Sequence, residues 1–404
     1  MTTTSSPQKL KLLVLSSTYP RWDDDWEPAF VHELSKRLTN DFEVTVLCPR
    51  EKGSVRQEQR EGVNVIRYRY APNRWSTLVS NGGIAANLKS NTLKWLLVPL
   101  FMVCQTIATW RTIRQIRPDR IHCHWIIPQG ICLQLVKMLS RVPPHLLTSH
   151  GGDLYSFGGK LSSCLKKTAL RQANSITVVS RAMAQEARKI ADKNLEVKVI
   201  PMGIDTENTF YPDEKVKRSD TEILFVGRLV EKKGLIYLLD AFQEILQSVP
   251  NSSLIIIGDG PERKTLEQKA ATLRIQEQTF FKGSVPNREL PNYYRKAAVF
   301  VAPFIVAKNG DQEGLGLVVA EALCCGCPVV VSNLEATHDI TELIINSTDV
   351  SSIMPKSPEL ISSEIKRIIM TPRPKNSLER GSELRKKLNW NEIARQYSAT
   401  LESL

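Results

Sequence analysis

The chain has 404 residues, which is enough for two ordinary domains, and its 42% hydrophobic and 24% charged residues are typical of a folded globular protein. Its formal net charge of +12 favours anionic partners, such as phosphorylated ligands or an anionic membrane surface. Because the sequence has no nucleic-acid motif and no basic stretch interleaved with aromatic residues, we expect no nucleic-acid partner.

The first residues and the cysteines indicate the compartment. The N-terminal stretch has no apolar core of signal-peptide length, so we expect no export. Eight cysteines lie in apolar or helical contexts, and Cys324, Cys325 and Cys327 lack the four-ligand spacing of a zinc site. The sequence therefore predicts a reduced, cytoplasmic protein whose clustered cysteines fill a helix-turn-strand junction.

The chain opens with a strand-loop-helix-strand pattern. Apolar runs predict strands over 10–16 and 42–48, and helical spacing predicts a helix over 29–38. The loop between the first strand and the helix lies at the carboxyl end of a parallel strand, where open α/β sheets bind ligands. Aromatic rings offer stacking faces to sugars or other flat apolar surfaces. We therefore expect this loop to bind an acceptor molecule through Tyr19, Arg21, Trp22 and Trp26. We interpret the three aspartates at 23–25 as a solvated acidic loop.

The most apolar stretch is 93–109, followed by Trp110, Arg111 and Arg114. Interruptions at Lys94 and Pro99 make it a poor membrane span. Two interpretations remain open: a helix packed on the sheet, or a helix whose aromatic and basic face lies in the membrane interface.

Polar side chains follow two later strands of the first half. His122 and His124 lie on one face of a strand predicted over 118–125, and His150 and Asp153 follow a strand that ends at Thr148. Because carboxyl ends of parallel strands share one sheet edge, His150 is a candidate site residue there, and His124 and Asp153 are candidates for the acceptor side. Two histidines alone do not make a metal site.

A turn-rich segment over 201–220 separates the two halves, and the strand-helix pattern then repeats. A strand over 222–226 is followed by Gly227, Arg228, Lys233 and Gly234, and then by a helix over 235–247. Glycine, arginine and lysine between a strand and a helix can cradle an anion, so this loop is a candidate phosphate site.

The stretch from Glu313 to Glu321 combines two carboxylates with a glycine-rich turn. We predict a helix that begins near Gly316, then a buried strand over 328–332. The start of this helix directs free backbone N–H groups and a partial positive charge toward a ligand. Carboxylates accept hydrogen bonds from hydroxyls, and hydroxyls combined with a diphosphate indicate a nucleotide sugar.

Three segments of the chain resemble the motifs of a known protein family. The segments 227–234, 257–262 and 313–331 together resemble glycosyltransferase family 4. The resemblance implies an α/β protein of GT-B architecture, with two Rossmann-like domains and a ligand cleft between them. We expect an acceptor-binding domain over 1–205, a nucleotide-sugar-binding domain over 206–385, and a C-terminal helix over 386–404 that packs on the first domain.

The resemblance also implies roles for individual residues. Glu313 would hold hydroxyls of the transferred sugar and Glu321 the ribose. Arg228 and Lys233 would bind the diphosphate beside Gly227. The remaining donor contacts would be the backbone N–H groups of Gly314, Leu315, Gly316 and Leu317. His150 would lie against the sugar, so the catalytic set is His150, Arg228, Lys233 and Glu313. The family implies retention of configuration without a metal or cofactor, the nucleotide sugar being a substrate.

The opening segment 17–34 is similar to a subset of the family associated with bacterial polysaccharide assembly. We therefore expect transfer of a hexosyl-type sugar to a lipid-linked or growing glycan acceptor, at the inner face of the plasma membrane. Two alternatives remain open, a nucleotide-sugar epimerase and a degenerate transferase that acts as a binding partner. Met202 and the segment 332–345, which depart from the family pattern, keep the second alternative open.

Overall fold

The computed structural model describes residues 9–22, 25, 29–79, 83–84, 87–88, 91–156, 158–344, 349–371 and 381–404. Contacts along the chain group it into two compact units. The first unit comprises 1–179, 183–201 and 390–404, and the second comprises 180–182 and 202–389. The limits 205/206 and 385/386 expected from the sequence stay predictions.

The regular elements alternate between strand and helix along most of the chain. The strands are β1 (Leu10–Leu15), β2 (Phe42–Pro49), β3 (Gln57–Arg60), β4 (Val63–Tyr68), β5 (Arg120–His124), β6 (His145–Ser149), β7 (Ser175–Val178), β8 (Lys198–Val199), β9 (Glu222–Val226), β10 (Ser253–Ile257), β11 (Thr279–Gly283), β12 (Val299–Ala302), β13 (Val329–Ser332) and β14 (Val350–Ile353). The α-helices are α1 (Phe30–Leu38), α2 (Leu97–Ile116), α3 (Ile131–Leu139), α4 (Gly152–Tyr155), α5 (Lys160–Gln172), α6 (Arg181–Ile190), α7 (Leu235–Ser248), α8 (Arg263–Thr272), α9 (Leu290–Lys296), α10 (Leu317–Cys324), α11 (Glu335–Thr341), α12 (Pro358–Met370), α13 (Ser382–Leu388) and α14 (Trp390–Glu402). Short 3₁₀ or π segments cover Thr92–Leu96, Ile126–Gly130, Glu231–Lys233, Asn287–Glu289 and Glu342–Ile344.

The first unit is built on a sheet with the strand order β3-β4-β2-β1-β5-β6-β7-β8. All neighbouring strands are parallel except β3 and β4, which are antiparallel at the edge. The inner strands β1 and β6 are almost wholly buried, as strands covered on both faces require. The buried part of β1 is accordingly the apolar run 12–15, whereas β6 also buries the polar residues His145, Thr148 and Ser149.

Helix α14 belongs to the first unit although it is the last element of the chain. It packs against α1, where the Arg37 guanidinium lies 5.7 Å from the centre of the Trp390 ring. The Ser398 hydroxyl donates to Asp41 at 2.6 Å, and the buried Tyr397 ring lies 5.3 Å from that of His122.

The second unit contains a fully parallel sheet with the order β11-β10-β9-β12-β13-β14. Helices α7 and α12 pack together over it, and its core is apolar, with Phe225, Phe242 and Ile256 fully buried. The carboxyl ends of β9, β10, β12 and β13 lie at one edge of the sheet, and the loops that leave them carry the predicted donor-site residues.

Several features differ from the sequence-based expectation in detail. Strands β3, β4 and β14 were not predicted, and several strand ends differ from the prediction by one or two residues in either direction. The divergent segment 332–345 contains the end of β13 and helix α11 where it is described. Cys324, Cys325 and Cys327 are buried, and all eight cysteines of the chain are free thiols.

The apolar stretch around residue 100 is a helix with two faces. Phe101, Gln105 and Thr109 of α2 are buried, and the Phe101 ring meets that of Tyr70 at 5.0 Å. Within the described residues, Thr92–Ile116 is the one helical stretch long and apolar enough to cross a membrane by length and composition. Only 33% of its most apolar window is buried.

Candidate active site

Two glycines fix the backbone of the basic loop in the second unit. Gly234 has φ = 66°, and a Cβ placed on it would lie 1.8 Å from the carbonyl oxygen of Pro303. Gly258 has φ = 126°, and its Cβ would lie 2.0 Å from the carbonyl oxygen of Gly227. Because no other residue fits either position, the loop from Gly227 to Gly234 is held closely against the ends of β10 and β12.

Lys233 lies across this loop and pairs with the glutamate that opens the second motif. Its methylene groups pass over Gly227, and its Nζ lies 2.7 Å from Oε2 of Glu313. The same Nζ lies 4.5 Å from the centre of the Phe304 ring, within the range of a cation–π contact. The predicted phosphate-binding cation and the predicted sugar-binding carboxylate are therefore neighbours.

The other carboxylate oxygen of Glu313 is bound by its own loop. Oε1 accepts from the backbone N–H groups of Gly314 at 3.3 Å and Gly316 at 3.4 Å. Burial alone would raise the pKa of Glu313, but Lys233, Lys232 and these hydrogen bonds outweigh it and lower the pKa to about 2. Glu313 is therefore an anion at neutral pH, which suits a hydrogen-bond acceptor and does not suit a general acid.

Glu321 has a different environment within α10. Gly316, with φ = 77°, precedes the helix, and Glu321 is buried one turn further on. The Tyr294 hydroxyl donates to Oε2 of Glu321 at 3.0 Å. Burial raises the pKa of Glu321 to about 7, although the Tyr294 hydrogen bond and the charge of Lys233 lower it. This carboxyl is thus anchored through one oxygen, and the other can accept from a ligand hydroxyl.

The remaining predicted donor-site residues lie in the loop that carries Lys233 or between Glu313 and the start of α10. Arg228 is the second residue after β9 and is half-buried in the same loop as Lys233, and Leu315 is buried. Lys232 is held by Asp311, with Nζ to Oδ1 at 3.1 Å. Tyr294 and Phe304 were not predicted, because their proximity to the motifs arises only from the fold. Lys232 lies beside Lys233 within the 227–234 motif and was not singled out there.

In the first unit, His150 lies at the carboxyl end of β6. Gly151, with φ = 104°, turns the chain after it into α4. The His150 ring lies between Phe30 at 4.8 Å and Trp125 at 5.2 Å, and its Nε2 lies 2.9 Å from Nδ1 of His124. Burial lowers the pKa of His150 to about 3, so the ring is neutral at pH 7.

Asp153 stabilises the turn around His150 through hydrogen bonds. Its Oδ2 accepts from the backbone N–H of Ile126 at 2.6 Å, and its Oδ1 accepts from the Ser149 hydroxyl at 2.8 Å and from the N–H of His150 at 3.3 Å. Both oxygens are therefore engaged within the unit. This geometry suits the positioning of His150 better than direct contact with an acceptor.

The first loop has a similar internal network. The Tyr19 hydroxyl lies 2.6 Å from Nδ1 of His32, and the Arg21 guanidinium binds Asp25 at 2.6 Å and Glu51 at 2.9 Å. Trp22 stacks on Arg21 and keeps 42% of its surface exposed. Trp26 lies outside the described residues. Of the four predicted acceptor contacts in this loop, Trp22 is the one whose ring is both described and widely exposed.

The acidic and cysteine clusters form no metal site where they are described. Throughout the described ranges, no three His, Cys, Asp or Glu side chains converge in a way that could hold a metal ion. Asp23 and Asp24 lie outside those ranges, and Asp25 binds Arg21. Independence from a metal stays a prediction.

Family models match both halves of the chain. Residues 29–208 match the model of Glycosyltransferase Family 4, and residues 207–388 match that of Glycosyl transferases group 1. The chain is 28% identical to TuaC from Bacillus subtilis (strain 168), over 89% of this chain and 89% of that relative. The name of TuaC assigns it to teichuronic acid biosynthesis. A GDP-mannose-dependent phosphatidylinositol monomannoside mannosyltransferase of Mycolicibacterium smegmatis is 31% identical over 48% of this chain and 56% of its own length.

Solved structures share the fold over nearly the whole chain. Sucrose-phosphate synthase from Thermosynechococcus elongatus has a TM-score of 0.77 at 20% identity, covering 98% of this chain and 99% of its own. Anabaena HepE in complex with UDP-glucose has a TM-score of 0.69 at 17% identity, covering 98% and 100%. Since the family matches and the structural matches extend over both halves, the chain belongs to glycosyltransferase family 4 and is a glycosyltransferase of the GT-B fold.

Proposed function

We propose that the chain transfers a hexosyl-type sugar from a nucleotide sugar to a lipid-linked or growing glycan acceptor, with retention of configuration. The observation that carries the proposal is the Lys233–Glu313 pair, held at 2.7 Å between a glycine-fixed basic loop and the start of α10. It combines a cation, an ionised acceptor of hydrogen bonds and backbone N–H groups in one place. A nucleotide sugar presents the matching groups: a diphosphate and a polyol.

The donor site follows from this arrangement. Lys233 and Arg228 bind the diphosphate, and Lys233 exchanges part of its contact with Glu313 for the phosphate oxygens. Glu313 stays ionised and accepts hydrogen bonds from sugar hydroxyls. Glu321, anchored by Tyr294, accepts from the ribose hydroxyls.

Catalysis rests on charge stabilisation. As the bond between the anomeric carbon and the diphosphate oxygen breaks, its electron pair leaves with the nucleoside diphosphate. The negative charge that develops there is stabilised by Arg228 and Lys233, and removal of one such group typically costs a factor of about 10² to 10³ in turnover. His150 lies against the sugar as a neutral hydrogen-bonding group, and its low pKa supports that role over a charged one.

Acceptor binding is assigned to the first unit. Trp22 offers an exposed ring after β1, whereas Tyr19, Arg21, His124 and Asp153 hold the surrounding backbone and side chains in place. The relatives support an acceptor of the cell surface, since their names concern teichuronic acid and a phosphatidylinositol mannoside.

A lipid-linked acceptor requires contact with a membrane, and an exposed apolar surface supports it. Along Thr92–Ile116, apolar side chains recur at intervals of three and four residues and are exposed. Leu96 is 78% exposed, and Met138 of α3 and Leu161 of α5 are 82% and 76% exposed. Helix α3 packs between α2 and α5. We call the exposed apolar residues of these segments the three-helix face: Leu93, Trp95, Leu96, Leu100, Val103, Ile107, Leu135, Met138, Leu139, Leu161 and Leu165.

The charge of these helices favours an anionic lipid surface as the occupant. Helices α2, α3 and α5 contain no acidic residue, and they carry exposed basic residues that include Arg111, Arg114, Lys137 and Lys160. An apolar surface bordered by cations binds anionic bilayers through both hydrophobic burial and electrostatic attraction. We therefore propose peripheral binding to the cytoplasmic face of the plasma membrane.

The test of the function is a transfer assay with the full chain. It uses a panel of UDP-, GDP- and ADP-sugars with polyprenyl-diphosphate-linked glycans. The proposal predicts release of nucleoside diphosphate together with an extended glycan whose new linkage keeps the anomeric configuration of the donor. A Lys233→Ala variant serves as the control for contaminating activity.

Two other outcomes would overturn the proposal. Conversion of the nucleotide sugar into its epimer without an acceptor would indicate an epimerase. Tight donor binding without release of nucleoside diphosphate, with every acceptor tried, would indicate a degenerate transferase.

A further inference from the structure

His124 and His150 form a hydrogen-bonded pair of imidazoles in the first unit. His124 is the last residue of β5, and His150 directly follows the neighbouring strand β6. Nδ1 of His124 lies 2.9 Å from Nε2 of His150, and the planes of the two rings are inclined by only 14°. This distance is that of a normal hydrogen bond between ring nitrogens.

Both rings are neutral at pH 7. Burial lowers the pKa of His150 to about 3 and, with the neighbouring His122 and His150, lowers the pKa of His124 well below its ordinary value. A neutral imidazole has one N–H and one bare nitrogen. The pair therefore has two arrangements, in which the shared proton is carried either by Nδ1 of His124 or by Nε2 of His150.

The two arrangements differ in where they leave an unpaired N–H. Neither Nε2 of His124 nor Nδ1 of His150 has a hydrogen-bond partner in the described part of the chain, and both atoms are buried. If His150 donates to His124, the unpaired N–H is Nε2–H of His124. If His124 donates to His150, the unpaired N–H is Nδ1–H of His150.

The position of each residue decides between them. His124 is only 1% exposed, and its ring packs 4.0 Å from that of His122, whose Nε2 is already bonded to the Thr148 hydroxyl. An N–H at Nε2 of His124 would stay unpaired in the protein interior. Nδ1 of His150 is also shielded from solvent, but His150 as a whole is half-buried at the sheet edge where α/β proteins bind ligands. Of the two unpaired N–H positions, it is therefore the one that a ligand oxygen can approach.

We propose that His124 is a positioning residue that donates its Nδ1–H to Nε2 of His150 and so fixes His150 as the Nδ1–H tautomer. His150 then presents a hydrogen-bond donor to an oxygen of the bound sugar. The assignment of that ligand as a sugar rests on the proposed function, whereas the tautomer requires only that some ligand oxygen approach Nδ1 of His150. Asp153 supports the same orientation by accepting from the backbone N–H of His150.

The test is ¹⁵N NMR of the histidine side chains in the full chain. The chain has six histidines, and a His150→Gln spectrum identifies the signals of His150. The proposal predicts a protonated Nδ1 and a bare Nε2 for His150 in the wild-type protein. The opposite pattern would overturn it.

Three variants separate positioning from simple packing. His124→Asn places an amide N–H near the former Nδ1, so it should keep the His150 tautomer and most of the kcat/KM for the donor. His124→Phe removes the donor, and we expect a mixed tautomer and a loss of about tenfold in kcat/KM, as for one lost hydrogen bond. His122→Gln alters the same group of rings without touching His150 and should leave its tautomer unchanged.

The outcomes distinguish this inference from the proposed function. An unchanged His150 tautomer and unchanged kinetics in a folded His124→Phe protein would overturn the positioning role. If His124→Phe does not fold, the wild-type and His124→Asn spectra decide the question. Unimpaired transfer by His150→Ala would instead overturn the role of His150 at the sugar, and the tautomer spectra would still test the role of His124.

Discussion

Lys233 and Glu313 are 80 positions apart in the chain, yet Nζ and Oε2 lie 2.7 Å apart with both side chains mostly shielded from solvent. Lys233 is the principal counter-charge of Glu313, since it is the largest influence that lowers the pKa of Glu313 against the effect of burial. The cation of the proposed donor site is therefore already paired within the chain. We expect a diphosphate to bind by sharing Lys233 with Glu313.

Removal of Lys233 should destabilise the second unit in a pH-dependent way. Lys233→Met leaves an ionised, mostly buried Glu313, and we expect a loss of about 1–3 kcal/mol in the free energy of unfolding at pH 7. Because the pKa of Glu313 is depressed in the fold, this stabilisation is present above its ordinary pKa and is lost as the pH falls toward 2. Urea unfolding of both proteins at pH 7 and near pH 3 measures the difference, which should shrink at the lower pH.

The matched control for that change is Lys232→Met. Lys232 pairs with Asp311 in a more exposed position, so its loss should cost less than about 1 kcal/mol. Equal losses from the two variants would contradict the special environment of the Lys233 pair.

Tyr294 should set the pH dependence of donor binding through Glu321. Burial raises the pKa of Glu321 to about 7, and the ionised form is the better acceptor for ribose hydroxyls. Donor affinity should therefore rise as the pH increases through 7. Tyr294→Phe removes a hydrogen bond that stabilises the ionised form, so the midpoint of this rise should move to higher pH.

Calorimetric titration with the donor at pH 6 to 9 measures both midpoints. Tyr293→Phe is the control, because Tyr293 is the neighbouring tyrosine in α9 and makes no hydrogen bond to Glu321 in the described part of the chain. A Tyr294→Phe midpoint equal to that of the wild type would show that Glu321 is not the titrating group.

Gly234 should be far less tolerant of substitution than Gly310, although both have positive φ, 66° and 80°. A methyl group at 234 would lie 1.8 Å from the Pro303 carbonyl oxygen, whereas nothing lies within 4 Å at 310. We expect Gly234→Ala to cost more than about 3 kcal/mol and to abolish tight donor binding, and Gly310→Ala to cost about 1 kcal/mol. Urea unfolding with donor titration measures both effects, and similar costs at the two positions would contradict the close-approach argument.

The three-helix face should bind anionic vesicles. The paired change Leu96→Asp and Leu100→Asp places charges on its exposed apolar surface, and we expect at least about tenfold weaker binding. Flotation with phosphatidylglycerol-containing vesicles measures it, and added salt should weaken wild-type binding because Arg and Lys border the face.

Met354 provides the control for that experiment. It is an exposed apolar side chain of the second unit, outside the three-helix face, so Met354→Asp should float like the wild type. Failure of the wild-type protein to float at any salt concentration would rule out this face as a membrane contact.

The fold class and the family could be predicted from the sequence, and both are confirmed by the comparisons. Buried parallel strands such as β9 and β12 appear as apolar runs, and helices between the strands show apolar residues at intervals of three and four. The missed strands lie toward the sheet edges: β3 is the polar segment Gln-Glu-Gln-Arg, and β14 contains two serines. Such segments form strands because a neighbouring strand offers hydrogen bonds, which local composition does not reveal.

The candidate site was predictable where a motif lies in one stretch of sequence. Two such segments were predicted, Gly227 to Gly234 and Glu313 to Glu321. Each combines glycines with charged side chains in a loop that follows a predicted strand. The pairing of Lys233 with Glu313, the anchoring of Glu321 by Tyr294 and the bond between His124 and His150 each join residues far apart in sequence. Only the packing of the sheets brings these side chains into contact, although the sheet edge shared by His124 and His150 was predictable.

The most direct test of the central claim compares two variants in one donor-titration and turnover experiment. Glu321→Ala should mainly weaken donor affinity, because its contact with the ribose is the same before and during the reaction. Lys233→Ala should mainly lower kcat, by about 10² to 10³, because the charge that it stabilises develops as the bond breaks. Small and equal effects of both changes on affinity and turnover would contradict the assignment of this loop and helix as the donor site.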